Sequence, residues 1–224
     1  MIDQNRIKRS WEIYCKFGFR CLSHSFLDSI IVNYAPIFLD KYQLEDFEKV
    51  PGEFFETKWV DPNEVNHYQP FFIREFMHSF RTKDNETPVL GGWWDRCRSN
   101  LKQTIFYKSM EEHFVRGVPW EETIFVKRRV DELESDEDAA WGIDSRSDLE
   151  GRCESTDQLF SSITQKGFLP PEKLEDEERG VMANIGRDGT YIAMGGRHRI
   201  TLASIAEIDR IPVQIALRHR EFVE

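Results

Sequence analysis

Apolar and polar positions along the chain separate into stretches of helical period and stretches that alternate. Phe26, Leu27, Ile30, Ile31 and Tyr34 recur as on one face of a helix until Pro36 interrupts it. Residues 54–60, FFETKWV, read as a short strand left through the turn Asp61-Pro62-Asn63. Phe72, Phe76 and Phe80 stand four apart and predict a helix with a core-facing stripe. From Gly91 to about Val130 the pattern is helix, turn, helix, broken at Gly117-Val118-Pro119. Residues 131–140, DELESDEDAA, place six carboxylates in ten positions and mark a solvated connection or boundary.

The last seventy residues or so carry the clearest periodicity. Thr156 is a candidate N-cap for a short amphipathic helix on Leu159, Phe160 and Ile163 that stops at Gly167 and is barred from continuing by Pro170-Pro171. Val181, Ala183 and Ile185 alternate up to Gly186-Arg187-Asp188-Gly189, and Tyr191 to Met194 resumes an extended run, so the Asp-Gly turn closes a hairpin. Gly195-Gly196 ends the second strand. Arg197 to Ile208 reads as a buried helix, and Ile211, Val213, Ile215 and Leu217 alternate through a final strand with Pro212 near its start.

Composition narrows the class. The chain has 224 residues, of which 40% are hydrophobic and 31% charged, enough apolar material for a globular core. Forty acidic against 30 basic residues give a net charge of -10, which argues against coating nucleic acid by bulk charge and leaves a local basic patch open. Cys15, Cys21, Cys97 and Cys153 form no CxxC pair, so reduced structural thiols are expected. The start has no apolar stretch with a small-residue cleavage site and no long apolar run follows, which places the protein in the cytoplasm and away from membranes. His24, His67, His78 and His113 lack metal-ligand spacing.

One unit combines the ingredients of an anion site: a strand, Gly195-Gly196, then Arg197-His198-Arg199 on the first turn of a helix. The glycines remove bulk where a ligand would approach, the helix start offers unpaired N–H groups, and guanidinium groups grip phosphate oxygens in pairs. Basic residues merely exposed at a helix start are the plainer alternative.

The order of helix, hairpin, G-G-R-H-R box, helix and Ile211-Pro212-Val213 resembles the ParB/sulfiredoxin-like superfamily over about the last seventy residues. Gly92-Trp93-Trp94-Asp95, Asn184 to Gly189, Gly196 to Arg199 and Ile211 to His219 together are similar to a set of largely archaeal proteins of no assigned activity. The resemblance implies an α+β fold, a small mixed sheet with helices in a domain over 57–224. A helical insertion would fall at about 70–150 and the best-defined core at 155–219, preceded by a helical region over 1–56. It also implies binding of a nucleoside triphosphate, ATP or CTP with Mg2+, followed by hydrolysis or transfer of a phosphate. Arg197 stands where sulfiredoxin carries its catalytic cysteine, so thiol-based repair is set aside. No helix-turn-helix region follows the box, which sets a partition clamp aside as well.

On this reading Gly195, Gly196, Arg197, His198 and Arg199 bind phosphate, and His198 orients or protonates a phosphate oxygen. Asp61 is a candidate Mg2+ ligand or base, or simply a turn residue. Asn184 is a candidate neighbour of the box, or a solvent-facing amide. Arg218, with His219, is a second basic contribution or a terminal charge cluster. Trp94-Asp95-Arg96 is a lid or stacking surface, or a buried Trp beside a capping Asp. Two rival functions use the same residues: a DNA-associated or nuclease-like protein, and a non-catalytic sensor whose first 150 residues engage a protein partner.

Overall fold

A computed structural model describes residues 48–52, 55–69, 86–96, 98–134, 143–169 and 180–224. The helices expected around residues 26–34 and 72–80 lie outside the described residues. The fold is α+β, with one mixed eight-stranded sheet.

Its strands are β1 (Glu48–Pro51), β2 (Thr57–Val60), β3 (His67–Tyr68), β4 (Glu86–Leu90), β5 (Ser99–Asn100), β6 (Val181–Ile185), β7 (Tyr191–Gly195) and β8 (Ile211–His219). They run in the order β1-β4-β8-β6-β7-β3-β5, with β2 on β8 as well. The helices are α1 (Ile105–Arg116), α2 (Ile124–Glu134), α3 (Arg146–Lys166), α4 (Arg197–Ile205) and the short α5 (Arg220–Val223).

β8 is the hub. Its first half pairs antiparallel with β2, its end pairs parallel with β4, and its other edge pairs parallel with β6. Ile211, Val213 and Ile215 form one core with Val181, Ala183 and Ile185 of β6 and with Ile200 and Ala203 of α4. α4 is buried at four successive positions, Ile200 to Ala203. Ile200 and Ala203 meet the sheet, whereas Leu202 meets Met110 of α1 and Ile163 of α3. A helix held between a sheet and a helical layer needs no polar stripe, which is why this segment lacks one. Each fully buried aliphatic side chain contributes about 1.5 to 3 kcal/mol.

The strand expected over 54–60 forms at Thr57–Val60, the helix pair expected from Gly91 starts at Ile105 and flanks the Gly117-Val118-Pro119 break, and the turn at 61–63, the hairpin and β8 lie where the periodicity put them. Three expectations need correction. The helix expected from Thr156 begins at Arg146, because Ser145 is the N-cap: its Oγ accepts from Asp148 N–H at 3.1 Å and donates to the Asp148 carboxylate at 2.7 Å. Thr156 sits inside the helix with its hydroxyl donated to Arg152 O, 2.8 Å away. The stretch at 70–150, expected to be a helical insertion, supplies β4 and β5 to the sheet, and Glu48–Pro51 in the expected helical region is a strand.

Gly196 caps α4 with φ 74°, and a Cβ there would lie 3.0 Å from the Cα of Val181. A Cβ on Gly195 would meet only Met182 Cβ, at 3.9 Å. Gly196→Ala therefore combines a left-handed backbone with a clash against β6 and is expected to cost about 2 to 3 kcal/mol in urea unfolding. Gly195→Ala should stay within about 1 kcal/mol of the parent, since it meets no steric obstacle.

Candidate functional site

The box lies at the end of β7, with Gly195 paired to Met182 and α4 starting at Arg197. Arg197 and His198 form one wall of a cavity of about 380 Å³. Arg128 and Arg129 of α2 line the same cavity, and Tyr68, Leu101, Gln103, Thr104, Ile105, Phe106 and Phe125 complete it. The helix pair α1–α2 thus carries a second arginine group to the box across the fold.

Each aromatic ring of the lining carries a basic side chain. The Arg197 guanidinium lies 4.8 Å from the Tyr68 ring centroid, and that of Arg129 lies 5.5 Å from the Phe125 centroid. His198 stacks on Phe106 with centroids 4.1 Å apart and planes 29° apart. These contacts restrict side chains that would otherwise sample many rotamers, and each cation gains roughly 0.5 to 2 kcal/mol from the ring. Glu132 pairs with Arg128 at 2.9 Å and also with Arg129.

Burial pushes the His198 pKa down to about 3, and the positive charges of Arg152, Arg197 and Arg199 add to the effect. The ring is neutral at physiological pH, so it donates or accepts hydrogen bonds without itself contributing a cation. The proton-donating role expected for it is unsupported in the unliganded protein. Its orienting role is compatible with this state.

The other expected site residues are not gathered here. Asp61 is exposed and accepts from the Asn63 backbone N–H at 2.8 Å and from Asn63 Nδ2 at 3.1 Å, a turn arrangement. It faces a different concavity of about 470 Å³ with Lys102, Tyr107 and Ser204. Ser204 is near the C-terminal end of α4, and nine helical residues span about 13 Å, so the helix separates Asp61 from the box. Arg199 lies close enough to act on His198 but does not line the cavity.

Asn184 is fully buried rather than solvent-facing. Its Nδ2 donates to Gln69 Oε1 at 2.6 Å, and Gln69 Nε2 donates to Trp94 O at 3.3 Å. Arg218 pairs with Glu56. In the sheet register Val213 is opposite Val181 and Arg218 opposite Ile185, so Arg218 sits about 17 Å along β8 from the box end.

At that far end the remaining motif residues converge. Asp95 is almost fully buried and receives Arg187 in a bidentate pair, with Nε and Nη2 each at 3.0 Å, and also the Arg187 backbone N–H at 3.1 Å. Arg187 continues to Glu221 Oε1 at 2.9 Å and to Gly92 O. His219 Nδ1 accepts from Glu221 N–H at 3.1 Å, which leaves its Nε2–H to donate to Gly92 O at 2.8 Å. Trp94, buried beside His219, donates its Nε1–H to Leu90 O at 2.9 Å. Burial favours the neutral acid of Asp95, but the Arg187 hydrogen bonds outweigh it and hold the carboxyl below its ordinary value. The hydrogen-bonding groups of this assembly are directed at one another, so it serves as a clasp joining the β4 loop, the hairpin turn and the end of β8.

No protein-family model, curated protein or solved structure gives a significant match to the chain. The site therefore stands on its own geometry. Among the described residues no cluster of three or more His, Cys, Asp or Glu is arranged to hold a metal ion, and no helix is long and apolar enough to cross a membrane. Cys153 is a free thiol pushed up to about 11 by burial and then by the carboxylates of Asp157, Glu121, Glu150 and Glu154, which makes it a poor nucleophile. Arg128, Arg129 and the three rings were absent from the sequence-based site. The Lys127-Arg128-Arg129 run was the available signal, but it has no local partner that marks it as functional.

Proposed function

We propose that the protein binds a phosphate-bearing ligand, in the first instance a nucleotide, in the cavity between α2 and the start of α4. The observation that carries this reading is the gathering of Arg128, Arg129 and Arg197 about one cavity in a chain of net charge -10. A concentration of guanidinium groups against the overall charge is what recognition of a phosphate requires. The start of α4 adds its partial positive charge, and the volume falls in the usual range for small-molecule sites. The order α3, β6, β7, box, α4, β8 is consistent with the ParB/sulfiredoxin-like reading of the sequence.

Mg2+ does not fit as a protein-held ion at this cavity, because its lining contains no carboxylate and Asp61 lies beyond the other end of α4. The proposal is accordingly one of binding, and hydrolysis or transfer is assayed alongside it rather than routed through a metal.

The test is a thermal-shift titration with ATP, ADP, CTP and GTP, with and without Mg2+, on the parent and on Arg197→Ala. A ligand at one hundred times its Kd stabilises the native state by about 2.7 kcal/mol, a rise in Tm on the order of 5 to 10 °C. Arg197→Ala should lose most of that rise, whatever its own Tm. The absence of any shift in the parent overturns the reading. Binding to DNA that falls steeply with added salt, without a nucleotide shift, would favour the nucleic-acid reading instead.

A further inference from the structure

Resting on the reading that this cavity takes phosphate, we infer that it recognises the polyphosphate group alone and makes no productive use of a base. The evidence is how the three rings are employed. Tyr68 has Arg197 over it, Phe125 has Arg129 over it, and Phe106 has His198 stacked on it. Phe106 and Phe125 also meet edge to face, with centroids 5.8 Å apart and planes at 82°. A nucleobase seeking a stacking surface would have to displace the Arg197 and Arg129 guanidinium groups, which serve the phosphate, or the neutral His198 ring.

The polar lining points the same way. Thr104 is engaged as the N-cap of α1, with its Oγ1 accepting from Tyr107 N–H at 3.1 Å and donating to Leu101 O at 2.7 Å. Apart from the basic groups and the Tyr68 hydroxyl, Gln103 is the other polar side chain of the lining available to read a base edge. Selectivity among bases requires several fixed donors and acceptors, because each unmet group on either side is what rejects the wrong partner. Tyr68 and Phe125 hold the guanidinium groups in place, and charge with geometry does the selecting.

The ligand class is therefore a compact polyphosphate, free or at the end of a larger molecule whose remainder projects from the cavity. The probe is inorganic tripolyphosphate, compared with ATP, CTP and GTP by calorimetric titration of the full chain in metal-free buffer at fixed ionic strength, with adenosine as the base-only control. A base stacked on a protein ring would add about 1 kcal/mol or more, roughly fivefold in Kd.

The expected result is that tripolyphosphate binds within about fivefold of every nucleotide, that adenosine does not bind, and that Arg197→Ala weakens tripolyphosphate and ATP by the same factor. A nucleotide that binds more than about fivefold tighter than tripolyphosphate overturns the inference while leaving the phosphate reading intact. So does adenosine binding that competes with ATP. No binding of tripolyphosphate or of any nucleotide defeats the phosphate reading, and this inference with it.

Discussion

Arg187→Met is expected to lower the stability of the protein by about 3 to 5 kcal/mol, the usual consequence of leaving a buried charge without its partner. The substitution removes the Nε and Nη2 donors that grip Asp95 and leaves that carboxylate, its side chain 3% exposed, with the residue 187 backbone N–H. Gly92 O and Glu221 also lose a donor, so the β4 loop and α5 are loosened together. The decisive comparison is with Arg187→Met combined with Asp95→Asn. An amide of the same shape carries no charge to strand, so the double variant should recover on the order of 1 kcal/mol or more relative to Arg187→Met alone. Urea unfolding at neutral pH reads both quantities. Purely additive losses would mean that Asp95 and Arg187 contribute by packing and not through their pairing.

The second large effect is an acid limb of stability centred on His198. Its pKa is about 3 in the folded protein against an ordinary value of 6.5. A depressed folded value means that the unfolded chain takes up the proton first, so this contribution is complete above pH 6.5 and is lost as pH falls from there towards about 3. Between pH 6.5 and about 4.5 the loss should reach roughly 2 to 3 kcal/mol. Asp95, also depressed, adds its loss at lower pH, as the medium falls through its ordinary value of 3.8, so the two limbs separate.

His198→Gln, which keeps a polar side chain and removes the titration, should flatten the upper limb and leave the lower one. A residual slope remains from His67, whose pKa is lowered by burial and then by Arg98. An unchanged slope between pH 6.5 and about 4.5 in the variant would show that His198 is not the group responsible.

Both effects arise at residues named in motifs, yet their partners differ in how readily the sequence disclosed them. The box itself was legible, because two glycines after an alternating strand and three basic residues before an apolar run are local signals. The physical role of Gly196 was not, since the demand on it comes from Val181, fifteen residues earlier, and from a positive φ. Arg128 and Arg129 carry no local signal that sets them apart from the other charged residues of the helix pair. Asp95, Arg187 and His219 were each visible in a motif, but the bonds from Arg187 to Asp95 and from His219 to Gly92, 92 and 127 positions apart, in no way show in a one-dimensional pattern.

The sequence by itself determined most of the local structure in the last seventy residues and the helix pair before it, because hydrophobic period, turn chemistry and caps act over a few residues. It also determined that the chain is acidic overall and that a basic box stands out from that background. Tertiary structure alone decided which residues share a site. The pairing of β8 with β6 sends Arg218 to the far end of the sheet, and the length of α4 holds Asp61 away from the box. α2 packs on α1 and α3, which both pack on α4, and this arrangement brings Arg128 and Arg129 into the lining of the same cavity as the box. Those outcomes depend on register and on the close packing of distant segments, where free energy comes from contacts that no neighbouring residue specifies.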